Sequence, residues 1–137
     1  MAKQIISNPV VIISGGTVSS NCRQATITFT ADEVDTTNFG SGGYKESTGG
    51  LKSGTISFEW QNDYAAAALD ATFFPLLGTV VSWEVHPAST AAVGTANPKY
   101  SGSALVTEYM PIDSAVGDLA TLKTSWPTVG SYARGTS

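Results

Sequence analysis

The sequence predicts a mainly β domain of many strands with a single helix, and three observations carry that prediction. Ser and Thr number 33, and 14 Gly with 6 Pro punctuate the chain, a composition that favours strands and turns over helices. Two segments alternate without a fault. In residues 25–31, Ala25, Ile27, Phe29 and Ala31 fall on one side and Thr26, Thr28 and Thr30 on the other; in residues 55–60, Ile56, Phe58 and Trp60 oppose Thr55, Ser57 and Glu59. That is the period-two pattern of half-buried strands. Only one stretch, residues 62–74, joins a capping residue to high helix propensity without an early breaker. The 137 residues amount to one domain, and a chain of this size buries roughly two-thirds of its unfolded surface without disulfide or metal staples.

Taken in order, residues 1–9 read as an N-terminal arm, and residues 10–14 as a short apolar strand ended by Gly15 and Gly16. The strand over residues 25–31 is expected to have one buried face and one wet, uncharged face. More than twenty residues separate it from the strand at 55–60, and within them residues 38–54, rich in Gly, Ser and Thr, are predicted as a long loop. Ordinary hairpin loops run about 2–5 residues, and connections beyond about 12–15 are usually functional or disordered. The helix follows. Asn62 can cap it, Asp63 suits its N-terminal dipole, and four consecutive alanines have high propensity. Leu69, Phe73 and Leu76 make an inward stripe. Pro75 disfavours helical geometry at Phe74, so the helix should stop near residues 72–74. Three more strands are predicted: Val80–His86, with Val81, Trp83 and Val85 on one side, then residues 102–109 and 119–126. Residues 127–137 read as a C-terminal arm.

Charge and composition exclude several function classes. Only 13% of residues are charged, the net charge is −4, and the isoelectric point is about 4.7, so the basic surface that holds nucleic acid or anionic membrane is missing. Lys3 and a short apolar run open the chain, yet Asn8 and Pro9 interrupt it; no signal peptide is expected. No stretch reaches the roughly 20 apolar residues of a membrane span. The single Cys22 cannot form an internal disulfide, which fits a reducing compartment.

Chemistry-bearing motifs are equally sparse. Gly49-Gly50-Leu51-Lys52-Ser53 invites a phosphate-cradle reading, but Leu51 stands where that motif needs glycine, and a strand follows where it needs a helix. His86 is the only histidine, and with one Cys the chain lacks the soft ligands of a zinc site. Asp32, Glu33 and Asp35 lack the spacing of a calcium loop and read as a solvated strand end. No catalytic residue, cofactor site or metal site is predicted, and the chain is not expected to be an enzyme. Trp60, Trp83, Trp126 and Tyr100 could form a sugar platform, but the Trp residues sit on apolar strand faces and read first as core.

One family fits these features together. The run "ADEVDTTNFGSGGYKESTGGLKSGTISFEW", the alanine-rich helix, "NPKYSGSALVTEYMPIDSAVGDLATLKTSW" and the closing "GSYARGT" resemble the tail tube (major tail) proteins of long-tailed, siphovirus-type bacteriophages. The resemblance spans most of the chain. It implies an antiparallel β-sandwich or barrel flanked by one α-helix, with a long inter-strand loop and terminal arms. It also implies hexameric rings stacked into a hollow tube in the virion tail, assembled in the host cytoplasm, through which genomic DNA passes. Its partners would be itself and the tape-measure, tail terminator and tail-tip proteins, with DNA as a passenger that does not stick and no membrane. A capsid decoration or tail-completion protein, or a carbohydrate-binding adhesin-like sandwich, is the alternative.

The resemblance assigns roles to residues. In that family long loops and arms bridge subunits, which implies inter-subunit contacts at Ile5, Ile6, Phe39, Tyr44, Lys45, Glu46, Leu51, Tyr132 and Arg134. The glycines of the loop then predict that it is mobile in a free subunit and gains order on assembly. A wall along which a polyanion slides should offer neutral hydroxyls, some negative charge and few cations. Thr26, Thr28 and Thr30 with Thr55, Ser57 and Glu59 suit such a lumen.

Overall fold

Seven strands form one antiparallel sheet in the order β2-β1-β5-β6-β7-β4-β3. The computed structural model describes residues 6, 9–66, 68–88, 93–94 and 97–136. β1 (Val10–Ile13) reverses into β2 (Gly16–Thr17) through Ser14 and Gly15, both at positive φ (53° and 82°), the two-residue turn whose twist matches that of its strands. β3 (Cys22–Asp35) and β4 (Ser47–Gln61) make a long hairpin. The helix α1 (Leu69–Phe73) is followed by β5 (Val80–His86), β6 (Lys99–Leu105) and β7 (Thr121–Gly135).

β7 belongs to both halves of the sheet. From Thr121 to Pro127 it pairs with β4, and from Thr128 to Gly135 with β6. Just inside the second stretch, between Val129 and Tyr132, the register with β6 shifts, and Gly130 takes a positive φ of 74°, the kind of irregularity that lets a strand turn a corner between sheets. The two halves therefore fold onto each other as a sandwich. Ile56, Phe58, Trp60, Leu122 and Trp126 from one half meet Val11, Ile13, Val81, Trp83 and Ala104 from the other in a single core. α1 plugs one end. Its Phe73 is fully buried and meets Trp60 and Trp126 edge-on, with ring centroids 5.1 and 5.6 Å apart. Burying such a ring contributes about 1.5–3 kcal/mol.

The mainly β class, the antiparallel pairing and the one α-helix among the described residues agree with the sequence reading, but several boundaries do not. The helix begins at Leu69, not at Asn62. Asn62 and Asp63 are engaged elsewhere: the Asn62 amide donates to Tyr109 Oη and Pro111 O, each at 3.2 Å, and Asp63 Oδ1 accepts from the Ala65 N–H at 3.0 Å. The long-range bonds of Asn62 and the local turn made by Asp63 override the propensity of the alanines. The helix ends at Phe73 as Pro75 requires. Residues 38–54 are not one loop, because Ser47–Gly54 is strand paired with Phe29–Asp35, leaving only residues 36–46 outside the ladder. The glycines of that stretch had hidden its pairing. The segment read as a C-terminal arm is mostly the second half of β7, with Tyr132 opposite Gly102 and Arg134 opposite Tyr100. Of the N-terminal arm only Ile6 and Pro9 are described, and Ile5 lies outside the described residues.

Candidate functional site

Cross-strand register gathers the six predicted lumen residues onto one face. Thr26 stands opposite Ser57 and Thr28 opposite Thr55, and partners directly opposite in an antiparallel ladder share a face. The rows continue onto β7: Gln24–Glu59–Lys123, Thr26–Ser57–Ser125 and Thr28–Thr55–Pro127, with Thr30–Ser53 beyond. Ser57 Oγ donates to Ser125 Oγ at 3.1 Å, and the Thr30 and Ser53 hydroxyls bond at 3.0 Å. The result is a lattice of hydroxyls across three strands. A shallow recess on it, lined in part by Glu59, Glu108 and Lys123, brings two carboxylates and one ammonium to an otherwise neutral surface. Ser53, Ser125 and Glu108 had escaped the sequence reading, Ser125 because its strand was read without its register, Glu108 because it reaches the face from the β6–β7 connection.

The outer half of the β3–β4 hairpin projects as a two-stranded ribbon. β7 stops pairing with β4 at Thr55, so from Ser47 to Gly54 β4 has only β3 beside it. Its tip has its own hydrogen bonds. Asn38 Oδ1 accepts from the Gly40 N–H at 2.8 Å, Ser41 Oγ accepts from the Asn38 N–H at 3.0 Å, and Glu46 N–H donates to Thr37 Oγ1 at 2.7 Å. Asp35 Oδ1 accepts from the Thr37 N–H at 2.8 Å; bonds from the Thr37 side chain and backbone hold its carboxyl below the usual carboxylate range. At this polar tip Phe39 and Tyr44 stand 110% and 78% exposed, and half-way down the ribbon, beside the bulge at Asp32, Leu51 stands 81% exposed. Lys45 and Glu46 lie beside them, also exposed. Large apolar side chains left this open are unusual on a surface that stays in water.

The base of the ribbon is fixed by close packing at Gly54. A Cβ there would stand 2.9 Å from Thr28 O and 3.1 Å from the Phe29 ring. Glycine therefore lets Phe29 lie against the β4 backbone and stack on Tyr132, with centroids 4.1 Å apart and planes 15° apart. Tyr132, expected in a C-terminal arm, thus lies in β7 and packs on Phe29 of its own chain.

β1 and β3 are neighbours in the sandwich that share no ladder, and the seam between them opens as a cleft of about 730 Å³. Its apolar lining includes Ile6, Val11, Ile27, Phe29, Val85 and Tyr100, while Cys22 and Arg23 add polar groups. This explains why the inward-reading face of β3 is not buried: Ala25 and Ala31 are exposed and Ile27 only half-buried, because they look into the cleft or beyond the sandwich. His86 Nδ1, buried at the same place, meets no hydrogen-bond partner among the described residues.

The remaining chemical candidates are structural. Burial pushes the Cys22 thiol up to about 11, so it is protonated at neutral pH and a poor nucleophile. Among the described residues no group of acidic, His or Cys side chains could hold a metal, and no helix is long and apolar enough to cross a membrane. The three Trp side chains are fully buried; Trp60 Nε1 donates to Thr124 Oγ1 at 2.9 Å and Trp126 Nε1 to Glu108 O at 3.0 Å. None of them offers a ring to a sugar.

Comparison with known proteins returned the family described as phage tail tube protein, which matches residues 16–134. No curated protein sequence matches. Two solved structures share the fold. One, from the virion of a native gene transfer agent particle, superposes with a TM-score of 0.73 at 18% identity, covering 96% of this chain and 98% of that one. The other, from the tail of an empty gene transfer agent particle with C6 symmetry, has a TM-score of 0.62 at 21% identity, covering 82% and 81%.

Proposed function

The chain belongs to the phage tail tube protein family, and from that premise we propose that it builds the tail tube of a virion as stacked rings of six subunits, with the β3–β4–β7 hydroxyl face lining the lumen. It is a structural protein whose work is assembly, not catalysis. Six-fold rings are supported by the fold shared with a tail of C6 symmetry. The observation that carries the lumen assignment is the three-strand lattice of Thr26, Thr28, Thr30, Ser53, Thr55, Ser57 and Ser125. DNA is held by proteins through phosphate contacts with Lys and Arg, and this face offers hydroxyls, with Glu59 opposite its Lys123. DNA can slide past without being captured. Self-contacts run through the ribbon residues Phe39, Tyr44, Lys45, Glu46 and Leu51, with Ile5, Ile6 and Arg134 from the chain ends. Tail terminator and tail-tip proteins close the tube's ends and a tape-measure protein fills it during assembly in the host cytoplasm.

Electron microscopy of the purified protein tests the tube: long hollow tubes are expected, and monomers or small closed rings would count against it. The double variant Thr28→Lys, Ser57→Lys tests the face. Each ring would then carry a belt of positive charge, and many rings act on one DNA at once. Tubes of normal length, particles that still adsorb to cells and slowed or stalled DNA delivery are expected. Normal delivery through a confirmed double-lysine tube would take this face out of the lumen, and failed assembly would place it between subunits.

A further inference from the structure

The end of the sandwich that α1 plugs carries an exposed apolar surface built from residues 62–78 and 106–121, and every charged side chain in those two segments is a carboxylate. We propose that this surface docks a segment of another protein, one in which Lys or Arg alternates with large apolar side chains, a partner distinct from the copies of this chain that form the tube.

Hydrogen bonds join the two segments into one surface. The Asn62 amide and the Tyr64 hydroxyl both donate to Pro111 O, the Asn62 N–H donates to Ala120 O and the Gly78 N–H to Val106 O, each at 2.8 Å, and Tyr109 Oη donates to Asp70 Oδ1 at 2.6 Å. Because these ties hold the surface in shape beforehand, a partner pays little ordering entropy in binding it. Tyr64, Phe74 and Leu77 from the first segment and Ile112, Val116 and Leu119 from the second stand between 48% and 105% exposed, a grouping that marks an interaction site more often than a bare surface. Among them lie Asp63, Asp70, Glu108, Asp113 and Asp118, with no Lys or Arg in either segment. A patch of one sign favours a partner of the other and repels its like. A second copy of this chain offers no such match. Its seven Lys and Arg are scattered, and the nearest pair in sequence, Lys45 and Lys52, shares the ribbon with Asp32, Glu33, Asp35 and Glu46. Lys99 is bonded to Glu84 at 3.2 Å, and Lys123 lies opposite Glu59. The occupant is therefore a different chain, basic where this one is acidic and apolar where this one is apolar.

Titration calorimetry of the full-length protein with a short helical peptide of Leu and Lys tests the surface, with the same peptide carrying Glu for Lys, and an oligolysine without Leu, as controls. The Leu–Lys peptide should bind about ten-fold or more tighter than either control, and its affinity should fall as salt rises. Ile112→Ser with Val116→Ser, and separately Asp113→Asn with Asp118→Asn, should each weaken it by about ten-fold, because both the apolar and the charged half of the match are needed. All four positions are exposed, so the variants keep the core. Asp32→Asn with Glu33→Gln removes the same charge from the ribbon and should leave the affinity within about two-fold. Equal weakening by the ribbon pair would mean that the peptide reads net charge alone and overturns the proposal, as would equal binding of the Glu peptide or no binding at all. Self-association of the wild type that is lost in Ile112→Ser with Val116→Ser would give the surface to a second copy and also overturn it. Normal tubes that bind none of the peptides sink the docking and leave the tube reading intact.

Discussion

At the scale of single residues, the surface of β3 follows from alternation along one strand, and the packing at its edge from a neighbour far along the chain. The alternation of Thr26, Thr28 and Thr30 against Ile27 and Phe29 is a property of the strand alone, so it reads directly from the sequence. Gly54 is different. Its reason is the Phe29 ring across the ladder, a neighbour more than twenty residues away. Gly54→Ala forces the ring or the backbone to shift, and overpacking of this kind costs about 1–3 kcal/mol; denaturant unfolding should show that loss, together with a loosened Phe29–Tyr132 stack visible as altered Tyr fluorescence. Tyr109 makes a second residue-scale case. Its hydroxyl donates to Asp70 Oδ1 at 2.6 Å, and burial followed by that bond pushes it from 10 up to about 12. A raised folded value means that the folded state holds the proton more tightly, so its contribution is complete below pH 10 and is lost as pH climbs through about 12. Unfolding midpoints measured between pH 9 and 12 should fall across that window, and Tyr109→Phe should flatten the fall.

At the scale of elements, Val80–His86 was found at its true bounds, and the alternating stretches 25–31 and 55–60 were found as the middle and end of the longer strands Cys22–Asp35 and Ser47–Gln61, while elements defined by pairing were misread. Ser47–Gly54 contains three glycines and lacks period-two hydrophobicity, so nothing local marks it as strand; it is one because β3 continues beside it. The helix erred in the other direction, since an alanine run of strong local propensity does not start it: Asn62 is tied to Tyr109 and Pro111, and the helix begins at Leu69. The ribbon tip is where element-level behaviour is most testable. Its glycines favour motion, and its side-chain bonds centred on Asn38 oppose it. Asn38→Ala removes the acceptor for the Gly40 N–H and a capping contribution of about 1 kcal/mol. Hydrogen exchange at Gly40 and Ser41 should quicken in free subunits of the variant, and assembly should restore much of the protection in the wild type. Equal exchange in wild type and variant would mean that the tip's internal bonds do not order it.

At the scale of the whole molecule, the antiparallel sandwich was foreseen through resemblance, whereas the seam was not, because it exists only where two strands fail to pair. The position of β7 has a consequence in time. It lies between β6 and β4 in the sheet, yet it is synthesised after every other described strand. Until Thr121–Gly135 leaves the ribosome, the nascent chain holds two separate fragments, each with a bare inner edge and neither with a closed core. Domains fold as units during synthesis, so this one has no stable half-way product that could polymerise early on unfinished chains. A chain stopped after Ala120 should therefore be unfolded by circular dichroism and prone to aggregate, and a stable folded monomer from that truncation would show that the halves mature independently. The central placement of a late strand thus works as a checkpoint: only a chain translated through β7 presents the surfaces from which a tube can grow.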